Sequence, residues 1–160
     1  MVKAFIGLGS NLGDRKKNID NSIRLLTSSD GITLLSRASN YETEPVGPTQ
    51  PWFINTAIKI ETDLAPEELL LKCKEVERRI GRVDSLRWGP RLVDLDLLLF
   101  GERVIQSDRL ELPHPEMVER KFVLIPLIEL EPELIHPELE ISLKKILPKT
   151  DEDKKVVKLQ

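Results

Sequence analysis

The sequence predicts an α+β domain of the split βαβ, ferredoxin-like type: a mainly antiparallel sheet carrying two helices on one face. Three observations point to it. The chain reads as βαββαβ up to Phe100, residues 52–61 alternate strictly between two faces, and both helical stretches carry apolar residues at spacings of three and four. Its 160 residues suit one domain, and a 40% hydrophobic fraction supports a sizeable core.

Val2 to Ile6 reads as a buried strand running into a Gly7–Asp14 turn with helix-start chemistry, and Ile19, Ile23 and Leu26 then mark a helix through about Ser28. Asp30-Gly31 stops it before a second strand, Ile32 to Tyr41. Residues 42–51 hold three prolines and a glycine, a composition for an ordered loop with few conformations. In the third strand, Trp52 to Glu61, Ile54, Thr56, Ile58 and Ile60 share one face, while Phe53, Asn55, Ala57 and Lys59 share the other. Pro66, Glu67 and Glu68 open a second helix with Leu69, Cys73, Val76 and Ile80 on its apolar face, and Gly81 ends it. An arginine-rich loop, Arg82 to Arg91, precedes an apolar fourth strand from Leu92 to Phe100. Beyond the core, Arg103 to Leu112 reads as a short hairpin, Glu116 to Leu130 and Ser142 to Leu147 as helical pieces, and the last ten residues as a polar tail.

Charge and composition exclude several classes. Lys+Arg total 24 against 27 Asp+Glu, so a net charge of −3 argues against a general nucleic-acid-binding surface and makes any phosphate binding local. The longest apolar run, Phe122 to Ile128, is too short to span a bilayer, and the N-terminus lacks a signal-peptide pattern. A cytoplasmic monomer without nucleic-acid or membrane partners is expected. The single cysteine, Cys73, lies in an apolar helical stripe and reads as a packed thiol.

Chemistry concentrates in a few places. Asp94 and Asp96 are two apart on a strand and so share a face, where two nearby carboxylates need a neutralising cation; magnesium with polyphosphate is the natural one. The competing arrangement has both facing solvent or paired with arginines. Arg82, Arg87 and Arg91 lie just before that strand, and guanidinium forks suit phosphate oxygens; the alternative, commoner for such a loop on its own, is a plain surface loop with exposed ion pairs to Glu77 or Asp84. Trp88 in the same loop needs a partner for its area. Phe53 and Asn55 beside Thr43, Pro45 and Val46 suit a flat, polar-edged heterocycle, with Phe122 available for the opposite face; the alternative makes both phenylalanines core residues. His114, clasped by prolines ahead of Arg120, suits a phosphate contact or an ordinary surface turn, and His136 reads as structural. The Gly7-to-Gly13 segment misses the dinucleotide fingerprint because its third glycine is one place late, and no P-loop is present.

Together Gly9-Ser10-Asn11-Leu12-Gly13, Tyr41-Glu42-Thr43-Glu44-Pro45-Val46-Gly47, Phe53-Ile54-Asn55, Arg87-Trp88-Gly89-Pro90-Arg91-Leu92-Val93-Asp94-Leu95-Asp96, Leu112-Pro113-His114-Pro115 and Arg120-Lys121-Phe122 resemble the 6-hydroxymethyl-7,8-dihydropterin pyrophosphokinases of folate biosynthesis. The resemblance implies transfer of pyrophosphate from ATP to the pterin hydroxymethyl group with release of AMP, as a single pyrophosphokinase domain. It implies that Asp94 and Asp96 hold two Mg2+ ions, and that Thr43, Pro45, Val46, Phe53, Asn55 and Phe122 bind the pterin. It further implies that Glu77, Arg82, Trp88, Arg91, His114 and Arg120 serve ATP, with Arg82 and Arg91 also catalytic. Asp84 stands where an arginine can occur, and Phe53 replaces a frequent tyrosine. The rival from another class is a non-catalytic ferredoxin-like sensor that binds a nucleotide or metal without turnover.

Overall fold

The computed structural model describes residues 1–82 and 92–159, with Arg82 described by its backbone alone. Its core is β1 (Val2–Ser10), α1 (Arg15–Thr27), β2 (Ile32–Arg37), β3 (Tyr41–Thr43), β4 (Phe53–Thr62), α2 (Pro66–Arg82) and β5 (Asp94–Phe100). The strands run β5-β1-β4, and β4 then pairs with β2 along its C-terminal half and with β3 at its start, all antiparallel. This is the ferredoxin-like order expected, with the second predicted strand divided between β2 and β3.

Each helix forms where its sequence supplies the signals. Asp14 caps α1 by accepting from Lys17 N at 3.2 Å, and Glu68 Oε1 accepts from Ala65 N at 2.9 Å at the entry to α2. Ile19, Ile23 and Leu26 of α1 and Leu69, Cys73, Val76 and Ile80 of α2 bury against Ala4, Ile6, Leu8, Ile58 and Ile60. Cys73 is fully buried in this layer, and burial, helped by nearby Glu77, pushes its thiol up to about 12. That agrees with a packed thiol.

The opposite face of the sheet is only half covered. Residues 105–106 (β6) and 111–112 (β7) pair as the expected short hairpin. A 3-10 turn at Met117–Glu119 leads into α3 (Lys121–Leu130), and α4 (Leu143–Ile146) packs beside it. Leu124, Leu127, Leu143 and Ile146 cover Phe5, Ala57, Leu98 and Leu99. Lys59 Nζ joins this layer through Glu131 Oε1 at 2.6 Å while lying over the Phe5 ring.

Two expectations need correction. β1 does not stop at Ile6 but continues through Gly7 and Gly9 to Ser10, paired on both sides, so these glycines are sheet residues. The last ten residues are not simply a polar tail: Val156–Lys158 forms β8, antiparallel to β3. Its charged neighbours hide the signal, because the pairing is made with a strand more than a hundred residues away. Among the described residues, no helix is long and apolar enough to cross a membrane.

Candidate active site

Strand register places the site. Across β5, β1 and β4, Asp94 pairs with Gly9 and Gly9 with Asn55; one step along, Asp96 pairs with Gly7 and Gly7 with Ala57. Both aspartates therefore share the half-open face of the sheet with Asn55 and Phe53, as the period-two reading requires. The middle strand contributes no side chain at either step. A Cβ on Gly9 would lie 2.4 Å from Asn55 Oδ1, and one on Gly7 would lie 3.2 Å from Leu98 Cδ1. The two glycines are the floor of a cavity of about 220 Å³.

Several residues singled out in the sequence meet around this cavity, together with others. Pro45, Val46, Phe53 and Asn55 line one side, Arg120, Phe122 and Val123 the other, and Asp94 and Asp96 the end, while Glu44 and Gln50 also contribute. Thr43 sits behind the wall: it is buried, and its Oγ1 accepts from Asn55 Nδ2 at 2.6 Å, which leaves Asn55 Oδ1 turned over Gly9. Asn11 Nδ2 donates to Gln50 Oε1 at 2.9 Å and to Pro51 O at 3.2 Å, and Arg15 Nη1 donates to Trp52 O at 3.0 Å, so the proline loop is tied to the start of α1.

A second cavity, about 310 Å³, lies on the other side of Asp96. Lys74, Leu97, Arg109, Leu110 and His114 line it, and Asp96 is the residue it has in common with the first. His114 Nδ1 accepts from Glu116 N, and His114 N donates to Leu98 O, so the turn is fastened to β5. Arg120 pairs with Glu116 and lies over the Phe122 ring. Glu77 lines neither cavity; its Oε2 accepts from Leu95 N at 2.8 Å, gripping the strand between the two aspartates from the helix side. The side chain of Arg82, together with Asp84, Arg87, Trp88 and Arg91, lies outside the described residues.

Sequence reasoning missed Gly7, Gly9, Gln50, Lys74 and Arg109. The glycines were detectable, since they fall in phase with Phe5 on an alternating strand. Lys74 and Arg109 carry no local signal, because only the packing of α2 and the hairpin beside β5 brings them together. The donor set of the aspartate face suits magnesium, a hard cation that takes carboxylate oxygens and fills its other positions with phosphate and water. Among the described residues no group of three or more His, Cys, Asp or Glu gathers to hold a metal alone.

The sequence profile of the family described as 7,8-dihydro-6-hydroxymethylpterin-pyrophosphokinase matches residues 5–132. The chain is 42% identical to the 2-amino-4-hydroxy-6-hydroxymethyldihydropteridine pyrophosphokinase of Methylorubrum extorquens, over 84% of this chain and 86% of that one. It is 38% identical to the Haemophilus influenzae protein of the same name, over 99% of each. The crystal structure of wild-type Plasmodium falciparum HPPK-DHPS with pteroate superposes on it with a TM-score of 0.74 at 14% identity, covering 92% of this chain and 44% of the other, and so shares its fold. The profile match over most of the chain and the identity to both relatives lead to one assignment: the chain belongs to the 7,8-dihydro-6-hydroxymethylpterin-pyrophosphokinase family.

Proposed function

We propose that this single-domain chain transfers the pyrophosphoryl group of ATP to 6-hydroxymethyl-7,8-dihydropterin, with Mg2+ held at Asp94 and Asp96. The observation that carries this reading is the position of Asp96 on the wall between two cavities, one built for a planar heterocycle and the other lined by Lys74, Arg109 and His114. A carboxylate pair at the junction is where a polyphosphate reaching from the second cavity would meet a hydroxyl held in the first.

Phe53 and Phe122 sandwich the pterin ring, Asn55 Oδ1 accepts from its polar edge, and Pro45 and Val46 close the rim. Lys74, Arg109, His114 and Arg120 receive the nucleotide and its phosphates, with Arg82, Arg91 and Trp88 assigned to the same task by family position. Glu77 acts through β5, holding the aspartates at their height. Bound magnesium, two ions by family position, supplies charge neutralisation for the phosphates. The hydroxymethyl oxygen forms a bond to the β-phosphorus, the bond from that phosphorus to the oxygen bridging to the α-phosphate breaks, AMP leaves and the hydroxyl proton is released.

The test is AMP release from ATP with magnesium and the pterin, in the wild type and in Asp94→Ala and Asp96→Ala. Pterin-dependent AMP formation should fall by roughly a thousandfold or more in either variant, as expected when charge stabilisation of a transferring phosphoryl group is removed. Binding of both ligands without AMP formation by the wild type would favour the sensor reading.

A further inference from the structure

We propose that residues 150–159 are a strap that sets the gap between the two walls of the heterocycle cavity, with Glu152 as its positioning residue. The inference rests on the functional reading above for its ligand, but on the fold alone for its geometry.

The strap touches both walls. At one end, Lys155 O accepts from Glu44 N at 3.0 Å, Lys155 N donates to Glu44 Oε1 at 3.1 Å, and β8 continues along β3 with Val156 opposite Thr43. Glu44 lines the cavity, and Thr43 holds Asn55. At the other end, Glu152 Oε2 accepts from Lys121 N, the first residue of α3, at 2.9 Å, and Thr150 Oγ1 donates to Val118 O at 3.0 Å. Phe122 is the next residue, in the first turn of α3. One ten-residue segment thus joins the proline-loop wall to the Phe122 wall behind the cavity.

Glu152 is the unusual member. Among the described residues, its Oε1 is the one buried side-chain nitrogen or oxygen without a hydrogen-bond partner. Burying half a carboxylate unpartnered is costly, and the hydrogen bond from Lys121 N to the other oxygen offsets part of that cost. The far end of α3 is fixed separately: Glu129 accepts from Tyr41 Oη at 2.5 Å and from Ser39 N and Oγ at 2.9 and 3.0 Å. With that end anchored, the freedom left to α3 is at its start, where Phe122 lies.

The test uses the full chain with Glu152→Ala, Glu152→Asp and Glu152→Gln. Aspartate keeps the charge but falls short of Lys121 N; glutamine keeps both reach and acceptor. Loss of the contact should raise the KM for pterin about tenfold in the Ala and Asp variants, with glutamine within about threefold of wild type and with kcat and the KM for ATP within about twofold. Amide exchange should quicken at residues 42–46 and 121–123 together and stay unchanged in α1. A folded Glu152→Asp variant with unchanged pterin KM, or exchange that quickens only at 121–123, overturns the strap. Faster exchange in both walls of a protein whose wild type ignores the pterin would support the strap and sink the functional reading.

Discussion

Asn55 can present its carbonyl to the cavity because residue 9 has no side chain, and this makes Gly9→Ala a sharper probe than its size suggests. The new Cβ would lie 2.4 Å from Asn55 Oδ1, so the amide must swing away from Thr43. Gly9→Ala and Asn55→Ala should both raise the KM for pterin by about 10- to 100-fold, the cost of an orphaned polar edge on the ligand, while the KM for ATP stays within about twofold. Steady-state kinetics with each substrate varied checks this. Asp94, Asp96, Phe53 and Asn55 were legible in the sequence because a strand repeats every two residues, so sharing a face follows from spacing. Gly7 and Gly9 fall in phase with Phe5 and could be found the same way, but glycine signals a turn as readily as a crowded strand, and they read as a turn. Cys73, buried and with its thiol pushed up to about 12, should resist thiol reagents in the folded protein at pH 8 and react on unfolding.

At the scale of elements, α3 is fastened to the sheet through Glu129. Burial alone would raise its carboxyl, but hydrogen bonds from Tyr41 and Ser39 and the nearby Lys158 charge outweigh that and hold it below the ordinary glutamate value of 4.5. A carboxyl lowered by folding contributes stability that is fully present above about pH 4.5 and is lost as the pH falls through its lower folded value. Tyr41→Phe should therefore cost about 1 kcal/mol at pH 7 and flatten the acid limb of a Tm-against-pH curve. The helix itself was legible from its apolar run. Its docking was not, because Glu129 and Ser39 lie 90 residues apart. β8 escaped for the same reason: a three-residue strand flanked by lysines acquires its identity from the edge of β3.

At the scale of the whole molecule, both cavities draw their lining from distant parts of the chain, Gly7 to Val123 in the first and Leu70 to Pro115 in the second. Magnesium with a non-hydrolysable ATP analogue at about a hundred times Kd should stabilise the fold by about 2.7 kcal/mol, and Asp96→Ala should abolish most of that gain in calorimetry. The fold class was legible as a whole because βαββαβ leaves few ways to close an antiparallel sheet. The two-cavity arrangement was not, since it depends on how the hairpin and α3 settle around β5. A floor made by leaving out side chains can be filled by substitution but never deepened, so at Gly7 and Gly9 resistance to a compound lying on that floor would come only by raising it. The raised floor would exclude the natural ligand as well, which makes these two positions the ones where escape and activity are hardest to separate.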